Sequence, residues 1–164
     1  LDKKKYVFFG GHMADDLFFT FTLSEGSFAV PVNYVREVLN YEPITSVPKS
    51  LPYLKGVMNI RGSVVTVVDF REMFGFKITK PIDKCSIIVL EIEQKNEQPL
   101  VLGMIADSVD VVTKLDVVVS ENYDFGTMPG RKEFISEVAT NGNNFILILD
   151  LHKILESIEQ EIEK

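Results

Sequence analysis

Most apolar residues of this chain fall in short runs closed by turn formers, and that pattern limits the fold more than any other feature. "LFFTFTL" (17–23) is followed by the turn "SEG" and then by "SFAVPV" (27–32). "CSIIVLEIE" (85–93) and "LVLGMIAD" (100–107) flank the polar loop "QKNEQP". "SVDVVTKL" (108–115) follows, and "FISEVATNGNNFILILD" (134–150) folds about Asn141 and Gly142. Alternating or short continuous apolar runs between turn residues are strands, and Asn-Gly between two of them is a hairpin signal. Pro31 places the second strand at a sheet edge or ends it early.

The middle of the chain reads the same way. "YVREVLNY" (34–41) fits a short helix or a bulged strand, and its β-branched residues favour the strand. Residues 46–56 form an irregular connector. Val57 to Ile60 and Val64 to Val68 are two strands, with Arg61, Gly62 and Ser63 as a tight hairpin in which Gly62 is free to take positive φ. The second of these strands is apolar at four of its five positions, which predicts cover on both faces. Asp69 is placed to cap a short helix that Gly75 ends. Residues 120–133 read as a long surface loop. Leu151, Ile154, Leu155, Ile158 and Ile162 line one face of a terminal amphipathic helix. Roughly ten short strands and one helix predict a mainly β protein, a barrel or sandwich, with strands enough for two small barrels.

Composition narrows the function. The chain has 164 residues, 46% of them hydrophobic, enough for a substantial core. Its net charge of −7 disfavours nucleic acid, whose phosphates need a segregated basic patch. The one basic cluster, Lys3 to Lys5, lies in residues 1–12, which end near "GHM" and read as an expression tag ahead of a single domain at 13–164. The single cysteine, Cys85, opens a strand that reads as buried, and is itself read as a small core residue in a reducing compartment. With no run of 18 apolar residues, the expectation is a cytoplasmic protein without direct membrane insertion.

Chemistry needs a nucleophile, a base or a metal in a defined constellation. His12 falls in the presumed tag, and His152 reads as a surface residue in the first turn of the terminal helix. Zinc spacing, phosphate loops and nucleophile elbows are all missing, so the sequence points to no cofactor, no metal and no catalytic residue. Asp69, Asp107 and Asp150 each end an apolar strand, where an aspartate can be an acid catalyst or a plain cap. What remains is a surface that holds other proteins, and one residue stands out. Arg61 interrupts "VMNIRGSVVTVVDF" (57–70), a stretch otherwise built for a core. A guanidinium is not buried without partners, so Arg61 either faces solvent as an ordinary turn residue or pairs with a carboxylate.

These segments carry a family resemblance. "VPKSLPYLKGVMNIRGSVVTVVDFREMFG" (47–75), preceded by "VREVLNYEPITSVP" (35–48), resembles the core signature of the CheW family, bacterial chemotaxis coupling proteins. "LGMIADSVDVV" (102–112) and "FISEVATNGNNFILILDLHKIL" (134–155) are similar to the family's later hairpins and closing helix. Thr66 departs from the pattern, standing where many members carry proline.

The resemblance implies two intertwined five-stranded SH3-like barrels with a C-terminal helix. It also implies a non-enzymatic adaptor that joins the cytoplasmic tips of methyl-accepting chemotaxis receptors to the regulatory domain of the histidine kinase CheA, within membrane-associated receptor arrays. Carried over by motif, Val35, Glu37 and Arg61 map to a receptor-binding groove between the lobes, which makes Glu37 the carboxylate expected to pair with Arg61, and Gly56 maps nearby, where a missing side chain permits close approach. The kinase-contact residues are not indicated. Three other readings stay open: a CheW-like scaffold in another sensory or motility pathway, a small-ligand-binding β-barrel, and an acid hydrolase using strand-end aspartates.

Overall fold

The computed structural model describes residues 8–9, 12–13, 17–119 and 132–163. A short hairpin pairs β1 (Phe8–Phe9) with β2 (His12–Met13). The body is two sheets and a terminal helix. β3 (Leu17–Leu23), β4 (Gly26–Pro31), β10 (Ser108–Lys114), β11 (Asp116–Val119), β12 (Ile135–Asn141) and β13 (Asn144–Leu149) form a six-stranded sheet in the order β10-β3-β4-β13-β12-β11. β5 (Val35–Asn40), β6 (Leu54–Ile60), β7 (Ser63–Val68), β8 (Ser86–Ile92) and β9 (Leu100–Ala106) form a five-stranded sheet in the order β5-β8-β9-β7-β6. The protein is thus mainly β, with two SH3-like lobes. They are intertwined, because the strands at the start of the chain pair with those at its end: β4 runs parallel to β13, and β3 antiparallel to β10.

Side-chain alternation explains why the central strands are nearly all apolar. Along β8 and β9 the odd-numbered Ile87 and Ile105 join Met58, Val67 and Cys85 inside the five-stranded lobe. The even-numbered Ile88, Leu90, Ile92, Leu102 and Met104 face the other way, into a larger core shared with Phe21, Leu23, Phe28 and Val30 of the six-stranded lobe. Phe18, Ala29, Ala139, Ile146 and Ile148 fill the interior of that second lobe. A strand with period-two side chains and both faces covered must be hydrophobic throughout. α2 (Leu151–Ile162) lays Leu151, Ile154, Leu155 and Ile158 on the shared core, and Asp150 caps it by accepting from the Lys153 amide at 3.1 Å. Ile162, at its far end, is exposed.

The expected strands and turns are found, with two refinements. β7 is not covered along its whole length: Val64 is 76% exposed and Thr66 is also exposed, while Val65 and Val67 are buried. Its first half runs out to the hairpin tip, beyond the shared core, so only its last residues, Val67 and Val68, are covered on both faces. Pro31 ends β4 as expected, although β4 is an inner strand. Of the loop expected at 120–133, residues 120–131 lie outside the described residues.

Candidate functional site

Arg61 and Gly62 are the two central residues of the β6–β7 hairpin, with Ile60 paired to Ser63 on either side. Both have positive φ, +50° and +85°, the conformation of the two-residue turn that matches strand twist. Gly62 adopts it freely. Arg61 adopts it at a cost of roughly 1 kcal/mol, where asparagine or aspartate would be the ordinary choice. The Asn59 side chain holds the turn by accepting from the Gly62 amide at 2.8 Å.

The Arg61 side chain does not drift in solvent. Its Nη1 donates to Glu37 Oε2 at 2.9 Å. Glu37 is 17% exposed and Arg61 77%, so a sheltered carboxylate anchors an outward-facing cation. The pair joins β5 to the end of β6, the two edge strands of the five-stranded sheet. A bulge between Val35 and Glu37 turns Arg36 as well as Glu37 toward a depression of about 470 Å³. The apolar side chains of Ile60, Val64, Val65, Val89, Leu100 and Val101 wall it.

The four residues carried over by motif have different surroundings. Glu37 and Arg61 are brought together at the rim. Val35 packs half-buried against the shared core and pairs with Leu90. Gly56 is buried five residues back along β6. The missing side chain there does permit close approach, by the chain itself: a β-carbon at Gly56 would overlap the Thr45 carbonyl, and its φ is +139°. That closeness lets Thr45 and Val57 exchange backbone hydrogen bonds of 2.8 and 2.9 Å. The barrel is therefore closed twice between the β5 and β6 sides, by backbone at Thr45–Val57 and by charge at Glu37–Arg61. The resemblance implied a groove between lobes. The depression beside Arg61 is walled by the five-stranded lobe alone, because both members of the pair stand on its edge strands.

Sequence reasoning missed a second charged group. Arg71, in α1 (Phe70–Met73), is fully buried. Its Nε and Nη2 donate to Asp69 Oδ1 and Oδ2, both at 3.0 Å, in a fork that matches the carboxylate. Nη1 donates to the Lys80 carbonyl at 2.8 Å and stands 3.4 Å from Asp107 Oδ1. Burial alone would lower the Arg71 pKa, but the hydrogen bonds and charge of Asp69 outweigh it and hold the group above its ordinary value. Burial pushes the nearby Cys85 thiol up. The signal was Asp-Phe-Arg directly after an apolar strand, a spacing that sets both charges at the end of the core. The strand-end aspartates thus have structural partners: Asp69 and Asp107 converge on Arg71, and Asp150 on a helix terminus. Among the described residues, no group of three His, Cys, Asp or Glu is placed to hold a metal ion.

A sheltered carboxylate thus fixes an exposed arginine beside uncovered valine, on a lobe whose interior is already filled. Comparison with known proteins places the chain in a family. The profile of the CheW-like domain matches residues 17–159. The chain is 27% identical over 142 residues to a probable chemotaxis protein CheW of Rhizobium etli, covering 86% of this chain and 88% of that one. It is 29% identical over 139 residues to the chemotaxis protein CheW of Thermotoga maritima, covering 85% and 87%. The crystal structure of the scaffolding protein TtCheW from Thermoanaerobacter tengcongensis has the same fold, with a TM-score of 0.71 at 23% identity over 87% of this chain and 89% of that one. With its twin SH3-like lobes and the signature built around Arg61, the chain belongs to the CheW family of chemotaxis scaffolds, which are adaptors and not enzymes.

Proposed function

We propose that this chain couples the cytoplasmic tips of chemoreceptors to the regulatory domain of the histidine kinase CheA, on the cytoplasmic side of receptor arrays. The observation that carries this reading is the Glu37–Arg61 pair. An exposed cation held at a fixed position, next to Val64 at 76% exposure, offers orientation and apolar contact at one spot. Interfaces draw their energy from such arginine and apolar anchors in company. A helical receptor tip with carboxylate or amide groups between apolar side chains suits this rim, since the guanidinium fork is made for planar acceptors.

The six-stranded lobe offers a separate apolar surface. Val111, Val112, Val117 and Val118 are all exposed on its edge strands β10 and β11. Edge strands with uncovered valine are open to pairing with another β domain, and we assign the kinase's SH3-like regulatory domain to this corner. Among the described residues no helix is long and apolar enough to cross a membrane. Localisation to an array then comes through the receptors.

The test is co-purification of the full chain with a receptor cytoplasmic fragment and with the kinase regulatory domain, separately and together. Capture of both in one complex supports the coupling role. Failure of the folded chain to bind a receptor fragment would sink it. That result would favour a CheW-like scaffold serving a different sensory or motility pathway.

A further inference from the structure

Asp107 sits where the chain crosses from one sheet to the other, between the end of β9 and the start of β10. It is bonded on both sides. Toward the six-stranded lobe, its amide donates to the Thr22 carbonyl at 2.9 Å, and its Oδ1 accepts from the Ser24 amide at 2.7 Å. Toward the five-stranded lobe, the same Oδ1 lies 3.4 Å from Arg71 Nη1, and its carbonyl accepts from Lys80 Nζ at 2.7 Å. Arg71 is itself locked by the two-point fork of Asp69.

The core that the two lobes share is built of apolar side chains. Hydrophobic contact is non-directional and tolerates a small rotation of one sheet over the other with little loss of buried area. Hydrogen bonds to charged groups do not, because they weaken steeply with misalignment. Buried ion pairs contribute little net stability, and their best-attested use is to select one arrangement among several of similar energy. We infer that Asp69, Arg71 and Asp107 act as a positioning cluster that fixes the angle between the two lobes. This inference rests on the coupling reading for its consequence: a receptor on one lobe and a kinase domain on the other are held at a set angle only if the lobes are.

The angle is measured on the full chain without partners, by residual dipolar couplings of backbone amides in a weakly aligned sample. In the native chain both lobes fit one alignment tensor. In Asp107→Asn, and in the charge-free pair Asp69→Asn with Arg71→Met, the lobes are expected to need two tensors that differ in orientation, while each lobe fits its own internal geometry. The double variant removes both members of the fork together, Asp107 keeps its hydrogen bond from the Ser24 amide, and a thermal melt on the same sample checks that the variant is folded. A single unchanged tensor in both variants overturns the inference. The consequence has its own readout. Affinities for the receptor fragment alone and the kinase domain alone should stay within about twofold, while joint assembly weakens by about tenfold, a usual coupling size. Rotated lobes with undiminished joint assembly would show that coupling does not need the set angle, while failure of the native chain to assemble both partners would sink the coupling role and leave the cluster's effect on the angle standing.

Discussion

Arg61 Nη1 reaches Glu37 Oε2 at 2.9 Å across the two edge strands of the five-stranded sheet. One member is sheltered and the other exposed, so the contact orients a cation more than it stabilises a fold. Exposed ion pairs of this kind contribute roughly 0–1 kcal/mol to stability.

Removing the cation therefore separates binding from folding. Arg61→Ala should weaken capture of a receptor cytoplasmic fragment by roughly 1–3 kcal/mol, the range for losing a charge-assisted interface contact. The melting temperature should move little. Titration calorimetry and a thermal melt on the same sample check both. Equal affinity, or a loss explained by unfolding, would remove Arg61 from the interface.

Gly56 predicts the opposite combination. Gly56→Ala places a β-carbon against the Thr45 carbonyl at a φ of +139°. Backbone strain together with the opened Thr45–Val57 bridge should destabilise the chain by roughly 3 kcal/mol or more. Urea unfolding followed by circular dichroism measures this. A chain as stable as the parent would mean that the barrel closes some other way.

The valine corner of the other lobe gives a third outcome. Val111→Lys or Val117→Lys adds a charge to an exposed edge, which discourages strand addition. Kinase-domain binding should fall by about tenfold with receptor binding unchanged, as expected for one lost apolar anchor. Equal loss for both partners would deny a separate kinase face.

Cys85 sets a pH limit. Its thiol is buried, and burial raises its pKa in the folded chain above the ordinary 9.0. The unfolded chain then releases this proton first as pH rises, so the cysteine's contribution to stability is full below pH 9.0 and is lost above it. Unfolding midpoints in urea between pH 8 and pH 10.5 should fall more steeply for the native chain than for Cys85→Ala. Below pH 9 the native thiol should react with iodoacetamide far more slowly than in urea.

Much of the fold is written in local pattern. The alternation of "LFFTFTL", the Asn-Gly turn and the Asp69 cap are each settled within a few residues of chain, and the structure keeps them. The Glu37–Arg61 pair was legible only through the family resemblance, which mapped both residues to one groove; along the sequence Asp69, Glu72 and Glu42 lie nearer to Arg61 than Glu37 does. The position of Gly56 against Thr45 was not, since it depends on a connector with no periodicity looping back onto β6. Nor was burial of Arg71. A charged residue two places after an aspartate reads as a solvated helix face until Asp107, 36 residues on, is known to close over it. The exposed end of β7 was misjudged for a related reason: an apolar run does not say how far a hairpin projects past its core.

The placement of β3 and β4 between β10 and β13 has a consequence for biosynthesis. All five strands of one sheet lie within residues 35–106, so that half can complete its hydrogen bonding while the ribosome is still at work. Leu17–Pro31, emerging earlier, must wait for the last strands of the chain before its neighbours exist. A nascent chain of this protein therefore carries a phenylalanine-rich hairpin with open edges for much of translation, and it is this first segment that a holding chaperone would have to shield.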